Sequence, residues 1–288
     1  MPELPEVETM VRGLRSALGD YLERIEVVDP FLLERVSAED LERRAAGAAV
    51  RSVQRRGKWV VIELDPPRGL IVIQPRMTGG FCTREPDRPE HIRLIFHAGR
   101  PPRTIGFRDT RRLGKIGWHA DMEAAEAAFA RSHGPDALVI GREDLADRLR
   151  KTSRGIKPTL LDQKVLAGVG NIYADEILFR SGLHPERPSS SLTKAEVTRL
   201  HAAIRPVLEK AIELEGSSFD GDYRTLLGQE GGYLPQAWVH RRKGEPCRAC
   251  GRPIVKTRIA GLIGRPTYLC TACQKPGRAG RKSADRLA

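Results

Sequence analysis

Hydrophobic and polar positions follow a helical rhythm at the start of the chain and then form a series of short apolar runs. Apolar side chains recur three or four positions apart from Val7 to Leu18, which predicts an amphipathic helix within the first 18 residues. Pro5 suits the first turn of that helix, where a backbone N–H has no intrahelical partner. The later runs are β-branched, are separated by Gly, Pro and Arg turns, and predict strands in RIEVV, RSVQRRGKWVVIEL, GLIVIQP, HIRLIFH and RTIGFRD. Strands at this spacing indicate an antiparallel sandwich or barrel, and RRG at residues 55–57 is the expected tip of a hairpin.

From about residue 122 the pattern changes to helical periodicity. Helices are predicted in MEAAEAAFARSHG, REDLADRLRKT, KPTLLDQ, NIYADEILFRSG and TKAEVTRLHAAIRPVLEKAIELEG. Thr193 and Glu196 have the spacing of a capping box at the start of the last of these. The chain is therefore predicted to belong to the α+β class, with an N-terminal β domain followed by a helical domain.

Composition places the chain among ordinary soluble globular proteins. It has 288 residues, of which 40% are hydrophobic and 30% are charged, and this length allows two compact domains or one large one. No apolar run approaches the roughly 18 residues of a membrane span, and the N-terminus lacks the pattern of a secretory signal. We therefore expect a cytoplasmic protein with no membrane partner.

The charge distribution points to a nucleic-acid partner. The formal net charge is +12, and from Arg241 onward 13 Lys and Arg residues stand against two acidic residues. Such a concentration of cations is typical of a surface that meets a phosphate backbone. The final segment, KPGRAGRKSADRLA, is expected to be a disordered basic tail.

Four of the five cysteines lie in the same basic segment, in the pattern C-x2-C-x19-C-x2-C. Two such pairs place four thiolates around one tetrahedral Zn²⁺. The alternative, a pair of disulfides, fits a reducing cytosol poorly. We therefore predict one structural zinc ion that stabilises the fold and takes no part in chemistry, held by Cys247, Cys250, Cys270 and Cys273. Cys82 has no assigned role.

The N-terminal MPELPEVETM offers one candidate for catalysis. Removal of Met1 would expose Pro2, whose α-amino group would be partly neutral at physiological pH. A neutral amine can form an iminium with a sugar aldehyde, and Glu3, one residue away, is placed to shuttle protons. The alternative is that the prolines only fix the entry of the chain into its first helix.

An ordered set of motifs between residue 2 and about residue 275 resembles the formamidopyrimidine-DNA glycosylase family of bacterial repair enzymes. These motifs are PELPEVET, RRGKW, RMTG, DTRRLGK, LLDQKVLAGVGNIYADEILFRSGLHP, GEPCRACGRPI and GRPTYLCTACQ. The resemblance implies a β-sandwich, a helix-two-turn-helix module and a zinc-finger β-hairpin. It places a catalytic domain at 1–120, a connecting segment at 121–135, a helical domain with a lesion-capping loop at 136–235, a zinc finger at 236–275 and the tail at 276–288.

The resemblance also implies an activity. The chain would act as a monomer on duplex DNA, excise oxidised purines such as 8-oxoguanine and formamidopyrimidines, and cleave the strand by β,δ-elimination. Pro2 would be the nucleophile that attacks C1′, and Glu3 would transfer protons. Lys58 matches a lysine needed for removal of oxidised purines and for phosphate contact, with an exposed hairpin lysine as the alternative. Glu6 matches a supporting acid.

Further DNA-binding residues follow from the same resemblance. Met77 would fill the space left by the extruded nucleotide, and Arg112 would pair with the opposite cytosine. Asn171 would contact phosphate, and Arg265 would grip the phosphates beside the lesion and belong to the catalytic group. Lys157 is a further phosphate candidate, with an ordinary solvated lysine as the alternative.

Three positions depart from the family pattern. Gln74 stands where His is common, Leu113 replaces a Phe, and Arg241 replaces a favoured glycine. Because Leu113 cannot stack as an aromatic ring does, selectivity for the opposite base is expected to be looser. The alternatives are an endonuclease VIII-like enzyme for oxidised pyrimidines, a non-catalytic zinc DNA-binding protein and a basic zinc protein that binds RNA.

Overall fold

A computed structural model describes residues 2–83, 89–99, 101–218 and 223–276. The chain forms two compact units. The first contains the residues up to Ser132 together with Ala211–Gly232, and the second contains His133–Lys210 and the residues from Tyr233 onward. Residues 211–232, which the expected domains place in the helical domain, belong to the first unit. Part of the expected lesion-capping loop, 219–222, and the expected tail from 277 lie outside the described residues.

The first unit combines a nine-stranded sheet with helices. The strands follow the order β2-β9-β5-β4-β3-β1-β7-β8-β6, and every neighbouring pair is antiparallel except β2 and β9. In chain order its elements are α1 (Leu4–Leu18), β1 (Tyr21–Val27), β2 (Leu33–Glu34), α2 (Ala38–Ala45), β3 (Ala48–Arg56), β4 (Trp59–Leu64), β5 (Leu70–Gln74), β6 (Gly79–Cys82), β7 (Ile92–Ala98), β8 (Arg103–Asp109), β9 (Lys115–His119) and α3 (Met122–Ser132).

The sheet divides into two layers that share one core. β1 and β3 pair at only two positions near their starts, so the strands separate into two groups there. Ile62 from one group and Phe96 from the other are both fully buried and belong to the same hydrophobic cluster, together with Leu14 of α1. The amphipathic stripe of α1 is thus buried as its spacing predicts. The predicted α+β class with an N-terminal β-sandwich is confirmed.

The second unit carries short helices and a small hairpin. Its elements are α4 (Arg142–Arg150), α5 (Ile156–Leu161), α6 (Asn171–Ser181), most of α7 (Lys194–Glu213) and the antiparallel pair β10 (Val255–Thr257) and β11 (Thr267–Leu269). Val239 and Ile254 pack around Cys247 and Cys270 in a small separate core. The zinc segment is therefore folded around its own cysteines, as expected for a zinc hairpin.

Several predicted elements agree closely with the structure. The segment RTIGFRD is β8 residue for residue, and Gly57 joins β3 to β4 at the predicted hairpin tip. Thr193 and Glu196 form the predicted capping box, because Thr193 N–H donates to Glu196 Oε2 at 2.8 Å and Glu196 N–H donates to Thr193 Oγ1 at 3.3 Å. The sequence patterns do not predict α2, β2, β6 or β9.

Among the described residues, no helix combines the length and the apolar character that crossing a membrane requires.

Candidate active site and nucleic-acid interface

The N-terminal residues form a buried and well-braced turn. Pro2 is buried, and Glu3 and Glu6 are only 2% and 1% exposed. Glu3 is the N-cap of α1, and its backbone N–H donates to Glu6 Oε2 at 2.8 Å as part of a capping box. Pro5 lies in the first turn, as predicted. Three of the residues that the resemblance assigns to the reaction, Pro2, Glu3 and Glu6, therefore lie together at the start of α1.

Glu6 also holds the base of the expected lesion-capping loop. Its second oxygen, Oε1, accepts a hydrogen bond from Ser217 N–H at 2.7 Å. Gly216 precedes this contact with a φ of +84°, and a Cβ atom there would lie 2.8 Å from the same Oε1. Burial, reinforced by the negative charge of Glu6, raises the pKa of Tyr223 far above that of an exposed tyrosine. One buried carboxylate thus connects the N-terminal turn to this loop.

Lys58 follows the hairpin tip and is half-buried. Gly57 adopts a φ of +56°, a conformation that glycine accommodates without strain. Arg55 fixes the hairpin, since its Nε donates to Glu8 Oε2 at 3.0 Å and its Nη1 donates to the Gly57 carbonyl at 3.0 Å. Glu8 belongs to α1, so the hairpin that carries Lys58 is attached to the helix that begins at the N-terminal turn.

Two other loops of the first unit are organised around Asp109, which is fully buried. Its carboxylate accepts hydrogen bonds from the Thr78 hydroxyl and from the backbone N–H groups of Arg111 and Gly114. Thr78 Oγ1 also accepts from the Arg111 N–H at 3.2 Å. Because Thr78 follows Met77 directly, these bonds connect the RMTG turn to the DTRRLG turn. Met77 is 38% exposed beside this junction.

The Arg112 side chain contacts Asp29 and Phe31 of the same chain. Its Nε donates to Asp29 Oδ2 at 2.6 Å and its Nη2 donates to Asp29 Oδ1 at 2.9 Å, and the guanidinium carbon lies 4.7 Å from the centroid of the Phe31 ring. These bonds from Arg112 hold the pKa of Asp29 below its ordinary value of 3.8.

The two arginines of the DTRRLG turn differ in their surroundings. The guanidinium of Arg112, which was expected to face the opposite base, is engaged in a bidentate ion pair. Arg111, which sequence reasoning overlooked, is exposed, and within the described part of the chain its side chain has no hydrogen bond or ion pair. No sequence signal separates two adjacent arginines, because the difference depends on which of them reaches Asp29.

In the second unit, a glycine-rich turn leads into α6 at Asn171. The Gln163 side chain stabilises this turn, since its Nε2 donates to the Val169 carbonyl at 2.9 Å and its Oε1 accepts from Gly168 N–H at 2.9 Å. α6 begins at Asn171 with Gly170 as its N-cap, as the sequence predicts. Asn171 Nδ2 donates to the Pro266 carbonyl at 3.1 Å and retains a second N–H.

Lys157, the further phosphate candidate of the sequence analysis, is buried inside the second unit. The side chain is 0% exposed, and its Nζ lies 2.7 Å from Asp175 Oδ1. The ammonium also donates to the Pro266 carbonyl at 3.1 Å and to Thr267 Oγ1 at 3.0 Å. A fully buried ammonium that contacts three protein oxygens acts inside the fold. Lys157 therefore positions the start of β11.

Arg265 lies at the edge of this buried cluster. It precedes Pro266, whose carbonyl accepts from both Lys157 and Asn171, and it is itself exposed. The described part of the chain contains no hydrogen bond or ion pair made by the Arg265 guanidinium. The structure thus brings Lys157, Asn171 and Arg265 together, and it leaves Arg265 facing solvent.

The four cysteines of the zinc segment converge as predicted. Their sulfur atoms all lie within 4.8 Å of one another, with Cys250 Sγ 3.4 Å from Cys270 Sγ and Cys247 Sγ 3.9 Å from Cys273 Sγ. A tetrahedron with Zn–S bonds of about 2.3 Å has sulfurs about 3.8 Å apart, so the arrangement fits one Zn²⁺. All four positions are sulfur, which makes this a structural ion.

Family models cover most of the chain. The formamidopyrimidine-DNA glycosylase N-terminal domain matches residues 1–116, the H2TH domain of the same enzymes matches residues 134–221, and a zinc finger found in FPG and IleRS matches residues 244–276. A formamidopyrimidine-DNA glycosylase of Synechococcus sp. is 39% identical over 95% of this chain and 99% of its own length. The chain belongs to the formamidopyrimidine-DNA glycosylase family.

Solved structures of family members match the whole fold. The MutM (Fpg) protein of Thermus thermophilus gives a TM-score of 0.83 at 37% identity and covers 96% of this chain and 100% of its own. The Lactococcus lactis Fpg (MutM) in complex with DNA that contains N7-benzyl-Fapy-dG gives a TM-score of 0.84 at 31% identity, covering 95% and 100%. The same protein bound to DNA with an abasic site gives 0.84 at 30% identity, covering 95% and 99%.

Two residues that depart from the family pattern, Arg241 and Leu113, can be placed in the structure. Arg241, where the family favours glycine, adopts a φ of +62°, so the backbone keeps the left-handed conformation that glycine tolerates best. Leu113, where the family has Phe, is 38% exposed beside Arg112. The first departure therefore preserves the local fold, whereas the second changes the chemistry of an exposed surface.

Proposed function

We propose that this protein is a bifunctional DNA glycosylase and AP lyase that excises oxidised purines from duplex DNA during base excision repair. The observation that carries the proposal is the N-terminal turn. Pro2 and Glu3 are buried at the start of α1, and Glu6 fixes them by accepting from the Glu3 N–H. The match to a family member whose solved structures contain DNA with N7-benzyl-Fapy-dG or with an abasic site supports the substrate class.

The chemistry follows from a secondary amine at the terminus. Without Met1, the Pro2 nitrogen attacks C1′ of the damaged nucleotide, and the glycosidic bond breaks as the base leaves with a proton. The Pro2 nitrogen then loses its own proton, and the C1′–O4′ bond breaks while O4′ takes a proton supplied through Glu3, which gives a ring-opened iminium. The resulting iminium acidifies the C2′ hydrogens, so loss of a proton expels the 3′ phosphate and a second elimination expels the 5′ phosphate. Lys58, on a hairpin attached to α1 through Arg55 and Glu8, is the nearby cation proposed for removal of oxidised purines.

DNA binding would use an apolar side chain and an arginine from the first unit, and an arginine and a helix start from the second unit. The target nucleotide must leave the helix before Pro2 can reach C1′, and an apolar wedge such as Met77 offsets part of the lost stacking. Arg111, exposed and without a side-chain partner among the described residues, is the arginine that we assign to the opposite base in place of Arg112. Arg265, together with the first turn of α6 at Asn171, would bind phosphates.

The substrate class is tested with two lesion duplexes. We expect strand cleavage of a duplex carrying 8-oxoguanine opposite cytosine to be faster than that of a duplex carrying thymine glycol. Faster cleavage of thymine glycol would favour an endonuclease VIII-like enzyme for oxidised pyrimidines. Binding without cleavage of either duplex would leave a non-catalytic zinc DNA-binding protein. We further propose that the enzyme acts as a monomer in the bacterial cytoplasm.

A further inference from the structure

Phe31 is a large aromatic side chain that the fold presents to solvent. It is 71% exposed, whereas most apolar side chains of the first unit lie in its core. Leaving an aromatic ring in water forgoes the free energy that its burial would contribute. An aromatic ring that is exposed on a rigid segment therefore needs a functional explanation.

The segment that carries Phe31 is firmly built. Asp29 caps a short 3₁₀ turn, Pro30–Leu32, by accepting from the Phe31 N–H at 3.2 Å. The Val28 and Asp29 N–H groups both donate to the Arg93 carbonyl at 3.1 Å. The ring is thus displayed on an ordered turn, so contact with a partner would cost little backbone entropy.

Phe31 lies beside the residues already proposed to face the undamaged strand. The Arg112 guanidinium covers one part of its ring at 4.7 Å from the centroid, in cation–π geometry. Leu113 directly follows Arg112 and is also exposed. Arg111, which directly precedes Arg112, is exposed as well. The bidentate bonds from Arg112 to Asp29 connect the two turns, so the ring and the DTRRLG turn form one continuous surface.

This surface lacks an aromatic group at the position where the family pattern supplies one. Leu113 offers bulk but no π face, and Phe31 contributes a ring from a different element of the same surface. A nucleobase stacks on an aromatic face without regard to its identity, because every base has a π face. The adjoining arginines supply the positive charge that a nucleic-acid strand requires.

We propose that Phe31 is a stacking platform for a nucleobase of the undamaged strand, next to the base opposite the lesion, and that it compensates for Leu113. The inference rests on the proposed function, since it takes the DTRRLG turn to face that strand. Phe31 thereby becomes a determinant of how tightly the enzyme holds the opposite strand once the damaged nucleotide has left the helix.

The test places 2-aminopurine in the undamaged strand beside the base opposite a tetrahydrofuran abasic analogue. Stacking on an aromatic ring quenches this fluorophore, so wild-type protein is expected to quench it on binding. Phe31→Leu keeps bulk but removes the π face, and we expect it to lose the quenching and to bind this duplex at least about fivefold more weakly. Phe31→Trp should retain both properties.

A rescue variant makes the test specific. Phe31→Leu combined with Leu113→Phe returns an aromatic ring to the same surface and should recover the quenching. Val139→Ala, which trims an apolar side chain that is 73% exposed in the second unit, is the control and should behave as wild type.

Wild-type quenching that persists in Phe31→Leu would overturn the proposal. Weaker binding of Phe31→Leu without a change in fluorescence would overturn it too, because Phe31 would then only support Arg112. Failure of wild-type protein to cleave any lesion duplex would instead refute the proposed function.

Discussion

Lys157 and Asp175 form an ion pair that is closed to solvent, with side chains 0% and 1% exposed. The same carboxylate accepts from the Tyr268 N–H at 3.3 Å and lies 2.8 Å from His240 Nδ1. Desolvation of both charges is costly, so the pair stabilises the fold only while its hydrogen bonds are complete. Its position beside Pro266 makes it the internal support of the loop that presents Arg265.

Lys157→Met is therefore expected to destabilise the protein strongly. Removing one partner leaves a buried carboxylate with an uncompensated charge, which costs about 3–5 kcal/mol. Urea unfolding measures the change. The matched control is Arg148→Ala, which breaks an exposed ion pair between Arg148 and Asp144 within α4 and should cost less than about 1 kcal/mol. Equal, small effects of the two substitutions would contradict the structural role given to Lys157.

Single residues also mark the limit of the sequence predictions. Pro2, Glu3 and the zinc cysteines are recognisable because local motifs carry them. Lys157 and Arg112 belong to equally clear motifs, but burial against Asp175 and pairing with Asp29 decide what their charges do. Both partners are remote in sequence, at 18 and 83 positions away respectively. Periodicity and local spacing contain no information on such contacts.

At the scale of elements, the long amphipathic and β-branched segments follow their patterns, and the short ones do not. α2 has only eight residues and little apolar content, yet it is capped by Ser37, whose Oγ accepts from the Asp40 N–H at 3.1 Å. β9, KIGWH, is an interior strand of the sheet that pairs with β5 and β2. Tertiary pairing creates such a strand where local propensity is weak.

The base of the expected lesion-capping loop allows a test of coupling between elements. Gly216→Ala introduces a Cβ atom 2.8 Å from Glu6 Oε1 at a φ of +84°, so it should disturb both the loop and the N-terminal turn. Gly228→Ala is a matched control, because Gly228 has the same φ of +84° and a Cβ atom there meets nothing within 4 Å.

We expect Gly216→Ala to slow single-turnover excision of 8-oxoguanine at least about tenfold relative to Gly228→Ala, since misplacement of reacting groups by about 1 Å costs about 100-fold in rate. Thermal unfolding of both variants separates this effect from a general loss of stability. Identical excision rates for the two variants would show that the bond between Glu6 and Ser217 has no bearing on the reaction.

At the scale of the whole molecule, charge and metal are concentrated in one part of the chain. Nearly all of the formal net charge of +12 arises after residue 240, in and beyond the segment that the four cysteines fold. β10, β11 and Arg265 all lie between the two cysteine pairs. Loss of zinc would therefore unfold this segment, including the residues that we expect to bind phosphate.

Removal of zinc with a chelator is expected to weaken binding to a lesion duplex at least about tenfold, and added Zn²⁺ should restore it. Affinity should also fall steeply as salt rises, because contacts with phosphates release counterions. Fluorescence anisotropy with a labelled duplex measures both effects. Metal-free protein that binds as tightly as the zinc-loaded form would refute a role for this segment in DNA binding.

The central claim is that the amine of Pro2 becomes bonded to the sugar of the damaged nucleotide. Borohydride reduction during reaction with an 8-oxoguanine duplex should trap a covalent complex, which peptide mass spectrometry can map. We predict that Met1 is absent from the crosslinked peptide and that the sugar is attached to Pro2. A crosslink on any other residue, or a trapped peptide that still begins with Met1, would contradict the account.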